Sequence, residues 1–197
     1  RQMGEQSMNL ESIKTANTKN IGKEIEYFRE ISSTHTYAKQ IALQEKHSGK
    51  MIIAEIQTNG IGTKGRLWYT GESKNIALTI ILKPECKISS LEGLTVKIAE
   101  CMQKAIQELY QCQLTIKEPN DLMLNGKKIC GILTEINTIS EKINYLLISL
   151  GFNVNEVVFS KETEEIATSL KKEYGKDFVR EDIIKKFIEN LEKEIEL

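Results

Sequence analysis

Residues 53–68 read IAEIQTNGIGTKGRLW, and this stretch decides which fold the chain can adopt. It is apolar at first, then rich in glycine, then basic and aromatic. This pattern predicts a buried strand that leads into a loop whose backbone approaches a ligand closely, because glycine tolerates conformations that other residues avoid. Glycines at 60, 62 and 65 also match the G-x-G-x-x-G spacing of dinucleotide-binding turns.

The residues after the loop argue against a dinucleotide-binding turn. In that motif the third glycine opens a helix whose N-terminus receives the pyrophosphate. Here residues 66–75 read RLWYTGESKN without a helical stripe, and residues 75–84 read NIALTIILKP, a run rich in β-branched residues that is typical of a strand. A phosphate loop ending in Gly-Lys-Ser/Thr is excluded too, because Gly65 is followed by Arg66 and Leu67. The sequence therefore predicts a glycine cradle between two strands.

Composition limits the kind of protein that carries this cradle. The chain has 197 residues, 40% of them apolar, and a formal net charge of −1, which indicates one globular domain without an overall attraction to nucleic acid or membranes. Its four cysteines form no C-x-x-C pair, so we expect reduced thiols and no zinc site. No apolar run approaches the roughly 20 residues of a membrane helix. We therefore predict a cytoplasmic protein with no nucleic-acid or membrane partner.

The order of predicted elements indicates the fold class. We expect a strand over 23–31, a helix after it with Ser33 or Thr34 as N-cap, a long helix opened by a Ser89–Glu92 capping box, and a type I′ hairpin at Asn125-Gly126. A long strand ending near Gly151, a short helix over 163–174 and a helix from Arg180 follow. Several strands are joined by short turns, which predicts an α+β domain with a mixed, largely antiparallel sheet and helices packed on one side.

Five ordered blocks of the sequence resemble the signature motifs of biotin protein ligases. The resemblance runs from about residue 20 to the end of the chain, and five blocks in order are far more specific than any one alone. The blocks are Ser33-Thr34-His35, Gln57-Thr58-Asn59-Gly60-x-Gly62-x-x-Gly65-Arg66-x-Trp68, Lys117-x-Pro119-Asn120-Asp121, Lys127-Lys128-Ile129-Cys130-Gly131-Ile132-Leu133-Thr134-Glu135 and Gly151-x-Asn153-Val154-Asn155.

The resemblance implies a catalytic domain of the class II synthetase-like fold over residues 21–197. It further implies an ATP-dependent ligase that uses biotin, ATP and Mg²⁺. Such an enzyme forms biotinyl-5′-AMP and then transfers the biotinyl group to a lysine of a biotin carboxyl-carrier domain, such as that of acetyl-CoA carboxylase. We expect residues 1–20 to be an extension without a DNA-binding domain, and we expect no C-terminal SH3-like barrel. The sequence leaves open whether the chain is a monomer or a homodimer.

The resemblance also assigns roles to individual residues. Lys128 would carry the positive charge between the biotin carboxylate and the phosphate, and Asp121 would orient the incoming lysine amine; on the residues alone, Asn120 and Asp121 fit a simple turn after Pro119 equally well. No fixed protein metal site is expected. The biotin-binding residues would be Ser33, Thr34, Gln57, Gly60, Gly131 and Gly151. The ATP- or adenylate-binding residues would be Gly62, Lys64, Gly65, Arg66, Trp68, Asn120 and Asn153.

Four positions depart from the family pattern. Ile61 and Thr63 replace arginines that usually face the phosphates, His35 replaces an asparagine, and Glu118 replaces a tryptophan. Loss of two cationic contacts predicts leakage of the activated intermediate unless Lys64 or Arg66 compensates. Two alternatives therefore stay open: a divergent homologue that binds biotin or a carrier domain with weak or no turnover, and a ligase of the same fold that uses lipoate or octanoate.

Overall fold

A seven-stranded sheet forms the centre of the molecule. The computed structural model describes residues 7–61, 67–68 and 74–195. Within these ranges the large sheet has the strand order β1-β2-β5-β9-β8-β7-β6, and β3 and β4 form a separate pair. The strands are β1 (Ile25–Ile31), β2 (Lys50–Gln57), β3 (Gly60–Ile61), β4 (Leu67–Trp68), β5 (Ile76–Leu82), β6 (Thr115–Lys117), β7 (Asp121–Leu124), β8 (Lys127–Ile139) and β9 (Lys142–Phe152).

The pairing of the strands confirms a mixed, largely antiparallel sheet. β1 and β2 are parallel, whereas every other neighbouring pair of the large sheet is antiparallel. The two strands that flank the glycine loop also pair with each other, Gly60 opposite Trp68. Residues 60–61 and 67–68, on either side of the glycine-rich stretch, are therefore paired strands, in agreement with the expected strand–loop–strand arrangement.

Helices cover both faces of the sheet, which corrects the expectation of helices on one side. The helices are α1 (Leu10–Lys14), α2 (Thr34–Ile41), α3 (Leu94–Tyr110), α4 (Leu170–Tyr174) and α5 (Arg180–Glu194). Side chains such as Ile53 and Ile80 share a core with α3 and α5, whereas their neighbours Ile52 and Ile81 pack with α2 on the opposite face. The cause is the composition of the central strands: β2 and β5 are apolar on both faces, so both faces must be covered.

Two predictions of local structure are confirmed, and one is wrong. The Ser33 side chain caps α2 by accepting a hydrogen bond from the backbone of Thr36, and Asn125 and Gly126 both have positive φ, as a type I′ turn requires. The proposed Ser89–Glu92 capping box is wrong. Residues 88–91 form a separate 3₁₀ turn, and α3 begins after Gly93, whose φ of 72° separates the two.

The short helix expected over 163–174 is confined to α4. Residues 166–168 lie beside β8 instead of forming a helix. The backbone N–H of Lys128 donates to Ile166 O (2.8 Å), and Thr168 N–H donates to Lys128 O (2.9 Å). These two bonds fix the backbone of Lys128 from outside the sheet.

The first described residues belong to the same core as the rest of the chain. Met8 and Ile13 are buried, and α1 packs near α5. All four cysteines are free, in agreement with the expected thiols. Over the described ranges, no helix combines the length and apolar character needed to cross a lipid bilayer.

Candidate active site

A row of small residues crosses the sheet face that carries α2. Ala54 of β2 lies opposite Ala77 of β5, Ala77 opposite Gly151 of β9, and Gly151 opposite Gly131 of β8. Gly131 in turn lies opposite Asp121 of β7. Paired residues of adjacent strands point to the same face, so this row leaves a shallow trough across four strands that ends at a carboxylate.

A cavity lies over the glycine part of this trough, at Gly131 and Gly151. It contains about 450 Å³ of empty space, including its mouth to solvent. Seven residues predicted from the sequence line it together: Ser33, Thr34, Gln57, Asn120, Lys128, Gly131 and Gly151. The lining also includes His35, Leu78, Ile132, Leu133, Ser149 and Leu150.

Thr34 and Gln57 meet at one end of the cavity because β1 and β2 are parallel. The carboxyl ends of both strands reach the same edge, with Ile31 in register with Gln57, and α2 begins just after β1. Gln57 Oε1 accepts two hydrogen bonds from Thr34, from the backbone N–H (2.8 Å) and from the hydroxyl (3.0 Å). Ser33 is buried beside them and uses its hydroxyl as the cap of α2.

Two further hydroxyls extend this polar end beneath α2. Thr79 Oγ1 donates to Thr34 Oγ1 (2.9 Å) and lies 2.6 Å from Ser149 Oγ, and Ser149 Oγ lies 2.7 Å from His35 Nδ1. Thr79 is fully buried. Sequence reasoning missed both hydroxyls, although a lone polar residue inside each of the apolar strands IALTIIL and YLLISLGF was a usable signal.

His35 connects the buried hydroxyls to charged groups at the surface. Its Nε2 lies 3.6 Å from Glu135 Oε1, and Lys39 Nζ lies 3.2 Å from the other oxygen of the same carboxylate. Burial lowers the pKa of His35, and the Glu135 carboxylate opposes that shift. The His35 ring is thus hydrogen-bonded within the pocket wall.

Lys128 and Asp121 lie together at the other end of the trough. The Lys128 ammonium forms an ion pair with Asp121, with Nζ 2.9 Å from Oδ1. The register of β7 against β8 shifts between Leu122 and Met123, so Lys128 pairs with Met123, on the same face of the sheet as Asp121. The neighbouring Lys127 turns away and donates to Glu164 O (3.0 Å).

The other residues predicted from the sequence differ in whether they reach the cavity. Asn120 lines the cavity, but its side chain also donates to Ile132 O (2.9 Å), so it closes the turn into β7. Asn153 is buried at the end of β9, and Gly60 and Trp68 pair between β3 and β4. Glu118 is exposed to solvent. Gly62, Thr63, Lys64, Gly65 and Arg66 lie outside the described residues.

The donor set around the cavity fits a magnesium ion only together with phosphate oxygens. Among residues 7–61, 67–68 and 74–195, no group of three or more metal-binding side chains converges. Asp121 is paired with Lys128, and Mg²⁺ typically takes one or two carboxylates from a protein when a nucleotide supplies phosphate oxygens as further ligands.

Comparison with known proteins gives a consistent result. The family model described as the biotin/lipoate A/B protein ligase family matches residues 27–153. The bifunctional ligase/repressor BirA of Bacillus subtilis is 32% identical over 178 residues, which are 89% of this chain and 55% of that protein. A biotin--[acetyl-CoA-carboxylase] ligase of Paracoccus denitrificans is 30% identical over 122 residues, 60% of this chain and 50% of that protein.

A solved structure shares the fold. The biotin protein ligase from Aquifex aeolicus in complex with biotin and ATP superposes with a TM-score of 0.73 at 27% identity, covering 87% of this chain and 71% of that one. The chain spans about half the length of the curated relatives it matches. The matched segment contains the row of small residues, the Thr34–Gln57 contact and the Lys128–Asp121 pair. On this evidence, the chain belongs to the biotin/lipoate A/B protein ligase family.

Proposed function

We propose that the chain is an ATP-dependent biotin protein ligase. The observation that carries this proposal is a single cavity with a polar donor and acceptor corner, Thr34 with Gln57, at one end and a lysine beside a carboxylate, Lys128 with Asp121, at the other. Biotin has the same layout, with a polar ureido ring at one end and a carboxylate at the other.

The trough between the two ends suits the apolar middle of biotin. Gly131 and Gly151 line it, and glycine offers apolar contact without filling the space. A lipoyl or octanoyl chain would fit this trough, but neither has polar groups for the Thr34–Gln57 corner. Buried donors and acceptors left without partners weaken binding, so the corner favours biotin over the other two acids.

The first step would be formation of biotinyl-5′-AMP. A biotin carboxylate oxygen attacks the α-phosphorus of ATP, the bond to the β-phosphate oxygen breaks, and pyrophosphate leaves. Two anions must approach each other, and the Lys128 ammonium would stabilise the charge that builds up between them. Lys128 is well placed because backbone bonds to Ile166 and Thr168 fix its strand position. A magnesium ion bound with the phosphates would supply further charge neutralisation.

The second step would be transfer to a carrier domain. The amine of a carrier lysine attacks the carbonyl carbon of the mixed anhydride, an amide forms, and AMP leaves. The amine must lose a proton, and Asp121 is the carboxylate beside the reacting end of the trough. Asp121 would orient the amine and accept that proton. The Paracoccus relative's name supports a carrier of the acetyl-CoA carboxylase type.

An isotope-exchange experiment tests the acid used in the first step. Labelled pyrophosphate is incubated with ATP and the protein, with biotin, lipoate or octanoate added in turn, and label in ATP is counted. Exchange that requires biotin supports the proposal. Exchange with lipoate or octanoate alone would reassign the substrate, and binding of biotin in calorimetry without any exchange would show a binding protein without turnover.

The role of Lys128 has a matched control in its neighbour. Lys128→Ala should reduce exchange by at least a hundredfold, the scale of losing one electrostatic contact to a transition state. Lys127→Ala removes an equal charge one residue away, where the ammonium instead contacts Glu164 O, and should leave exchange within about twofold. Equal effects of the two changes would contradict the assignment.

A further inference from the structure

Four consecutive hydrogen bonds connect His35 to Gln57 through three buried hydroxyls. They join His35 Nδ1 to Ser149 Oγ (2.7 Å), Ser149 Oγ to Thr79 Oγ1 (2.6 Å), Thr79 Oγ1 to Thr34 Oγ1 (2.9 Å), and Thr34 Oγ1 to Gln57 Oε1 (3.0 Å). We call this series the hydroxyl relay. It runs along the wall of the cavity, and all of its members except the partly buried Gln57 are buried.

The Gln57 end of the hydroxyl relay has a fixed polarity. The side-chain atom that contacts the Thr34 hydroxyl also receives the backbone N–H of Thr34 at 2.8 Å. A backbone N–H can only donate, so this atom is the amide oxygen and not the nitrogen. The Thr34 hydroxyl must therefore donate its single proton to Gln57.

Counting protons then determines the polarity at the other end. The relay has four bonds, but its three hydroxyls supply only three protons, and each serves one bond. With Thr34 donating to Gln57, Thr79 must donate to Thr34 and Ser149 must donate to Thr79. The bond between His35 and Ser149 can be completed only if His35 carries a proton on Nδ1 and donates it.

The surroundings of the imidazole ring act against that arrangement. Glu135, on β8, lies 3.6 Å from Nε2 and favours a proton there; Lys39, on α2, lies on the far side of the same carboxylate. A neutral histidine has one proton to place. Without the hydroxyls the Nε2–H form would be preferred, so the relay itself selects the Nδ1–H form.

We propose that His35 is a positioning residue: as the proton donor at the head of the hydroxyl relay, it completes the hydrogen bonding that holds Thr34 and Gln57 in the polarity set by the Thr34 backbone N–H. With the relay complete, Gln57 Oε1 is occupied by Thr34, and its amide N–H groups have no hydrogen-bond partner among the described residues. Thr34 Oγ1 keeps one lone pair. The corner then offers donors for a carbonyl oxygen and an acceptor for an adjacent N–H.

A cyclic urea has that complementary pair of groups. Its carbonyl oxygen accepts hydrogen bonds, and the flanking N–H groups donate them. This step rests on the proposed function, because it takes biotin as the ligand. The relay itself does not, since its polarity follows from the protein alone and can be measured without any ligand.

The ligand-free test is the tautomer of His35, measured by long-range ¹H–¹⁵N correlation NMR. The chain has only two histidines, so His47→Gln assigns the signals. The wild type should show a proton on Nδ1. Thr79→Val keeps the side-chain shape but removes the middle hydroxyl, so Ser149 becomes free to donate to His35, and the ring should change to the Nε2–H form.

A matched control distinguishes loss of the hydroxyl relay from the loss of any threonine hydroxyl. Thr95 donates to or accepts from Thr134 at 3.1 Å outside the cavity, and Thr95→Val removes a similar hydroxyl pair. It should leave the His35 tautomer unchanged. An Nε2–H tautomer in the wild type, or the same tautomer in wild type and Thr79→Val, would overturn the proposal.

Biotin affinity tests the consequence for the ligand. His35→Asn places an amide donor near the Nδ1 position and should keep the dissociation constant within about twofold, whereas His35→Leu should raise it about tenfold, the scale of one hydrogen bond. In the Thr79→Val background, His35→Leu should add no further loss. If His35→Leu raised the dissociation constant equally in the wild type and in Thr79→Val, the proposed coupling between His35 and Thr79 would be overturned. Failure of the wild type to bind biotin would overturn the proposed function. The NMR measurement of the His35 tautomer would still test the hydroxyl relay in that case.

Discussion

Replacing Arg180 with methionine is expected to destabilise the fold strongly, because it removes the guanidinium that faces the buried Glu55 carboxylate. The guanidinium at the start of α5 contacts both oxygens of Glu55 on β2, at 2.6 and 3.2 Å, and also donates to Asn75 O. Both side chains are almost fully buried, Arg180 at 5% exposure and Glu55 at 2%. Tyr27 also donates to the Glu55 carboxylate (2.9 Å).

The burial of this pair sets the size of the effect. Removing one partner of a buried ion pair destabilises a protein by about 3 to 5 kcal/mol. Lys171 and Asp177 provide a control at almost the same distance, 2.7 Å, but with Asp177 77% exposed. Lys171→Met should therefore lower the free energy of unfolding by no more than about 1 kcal/mol.

Urea denaturation followed by circular dichroism measures both effects. The midpoint of Arg180→Met should fall with an unchanged slope, since a changed slope would indicate an altered denatured state. Adding Glu55→Leu to Arg180→Met should restore part of the loss, because the buried carboxylate that faced Arg180 is then absent as well. Losses of equal size in Arg180→Met and Lys171→Met, or no recovery in the double variant, would refute this reasoning.

Three more predictions concern the pH response and the pocket. Burial, followed by the Glu55 carboxylate, raises the pKa of Tyr27 to about 12. The neutral Tyr27 hydroxyl therefore contributes fully to folding stability below the pKa of about 10 that it has in the unfolded chain, and this contribution is lost between pH 10 and 12. The free energy of unfolding should fall less over that pH range in Tyr27→Phe than in the wild type. Gly151→Val should weaken biotin binding more than tenfold in calorimetry, because a valine side chain would occupy the floor of the trough. The protein should stay folded, because residue 151 lies in a strand and strands suit β-branched residues. Unchanged affinity would place the ligand elsewhere. Introducing arginine at both Ile61 and Thr63 should slow release of biotinyl-5′-AMP in a filter-binding assay, and an unchanged rate would show that other groups already retain it.

The sequence was most informative where local chemistry determines the structure. The β-branched run after Gly65 excluded a dinucleotide fold, and the pairing of Gly60 with Trp68 agrees with a loop between strands. Asn125-Gly126 predicted its hairpin because few other residues adopt positive φ at both positions. Each of these features depends on neighbours in the chain.

Features that depend on long-range register were not predictable. Nothing in the sequence places Ala77 opposite Gly151, so the trough floor became visible only with the strand order. Thr79 of β5 and Ser149 of β9 are 70 residues apart in sequence, and they come together only where these two strands pair. The position of α2 on the opposite face follows from the burial of both faces of β2, which an apolar run alone does not distinguish from a one-sided strand.

Transfer of biotin to a carrier domain is the most direct test of the proposed activity. The protein is incubated with ATP, magnesium, biotin and a biotin carboxyl-carrier domain, and the intact mass of the carrier is measured. The carrier should gain one biotinyl group with wild-type protein and with Lys127→Ala, and none with Lys128→Ala over the same time. A carrier of unchanged mass with wild-type protein, under conditions where calorimetry shows biotin bound, would contradict the assignment of this site as a ligase.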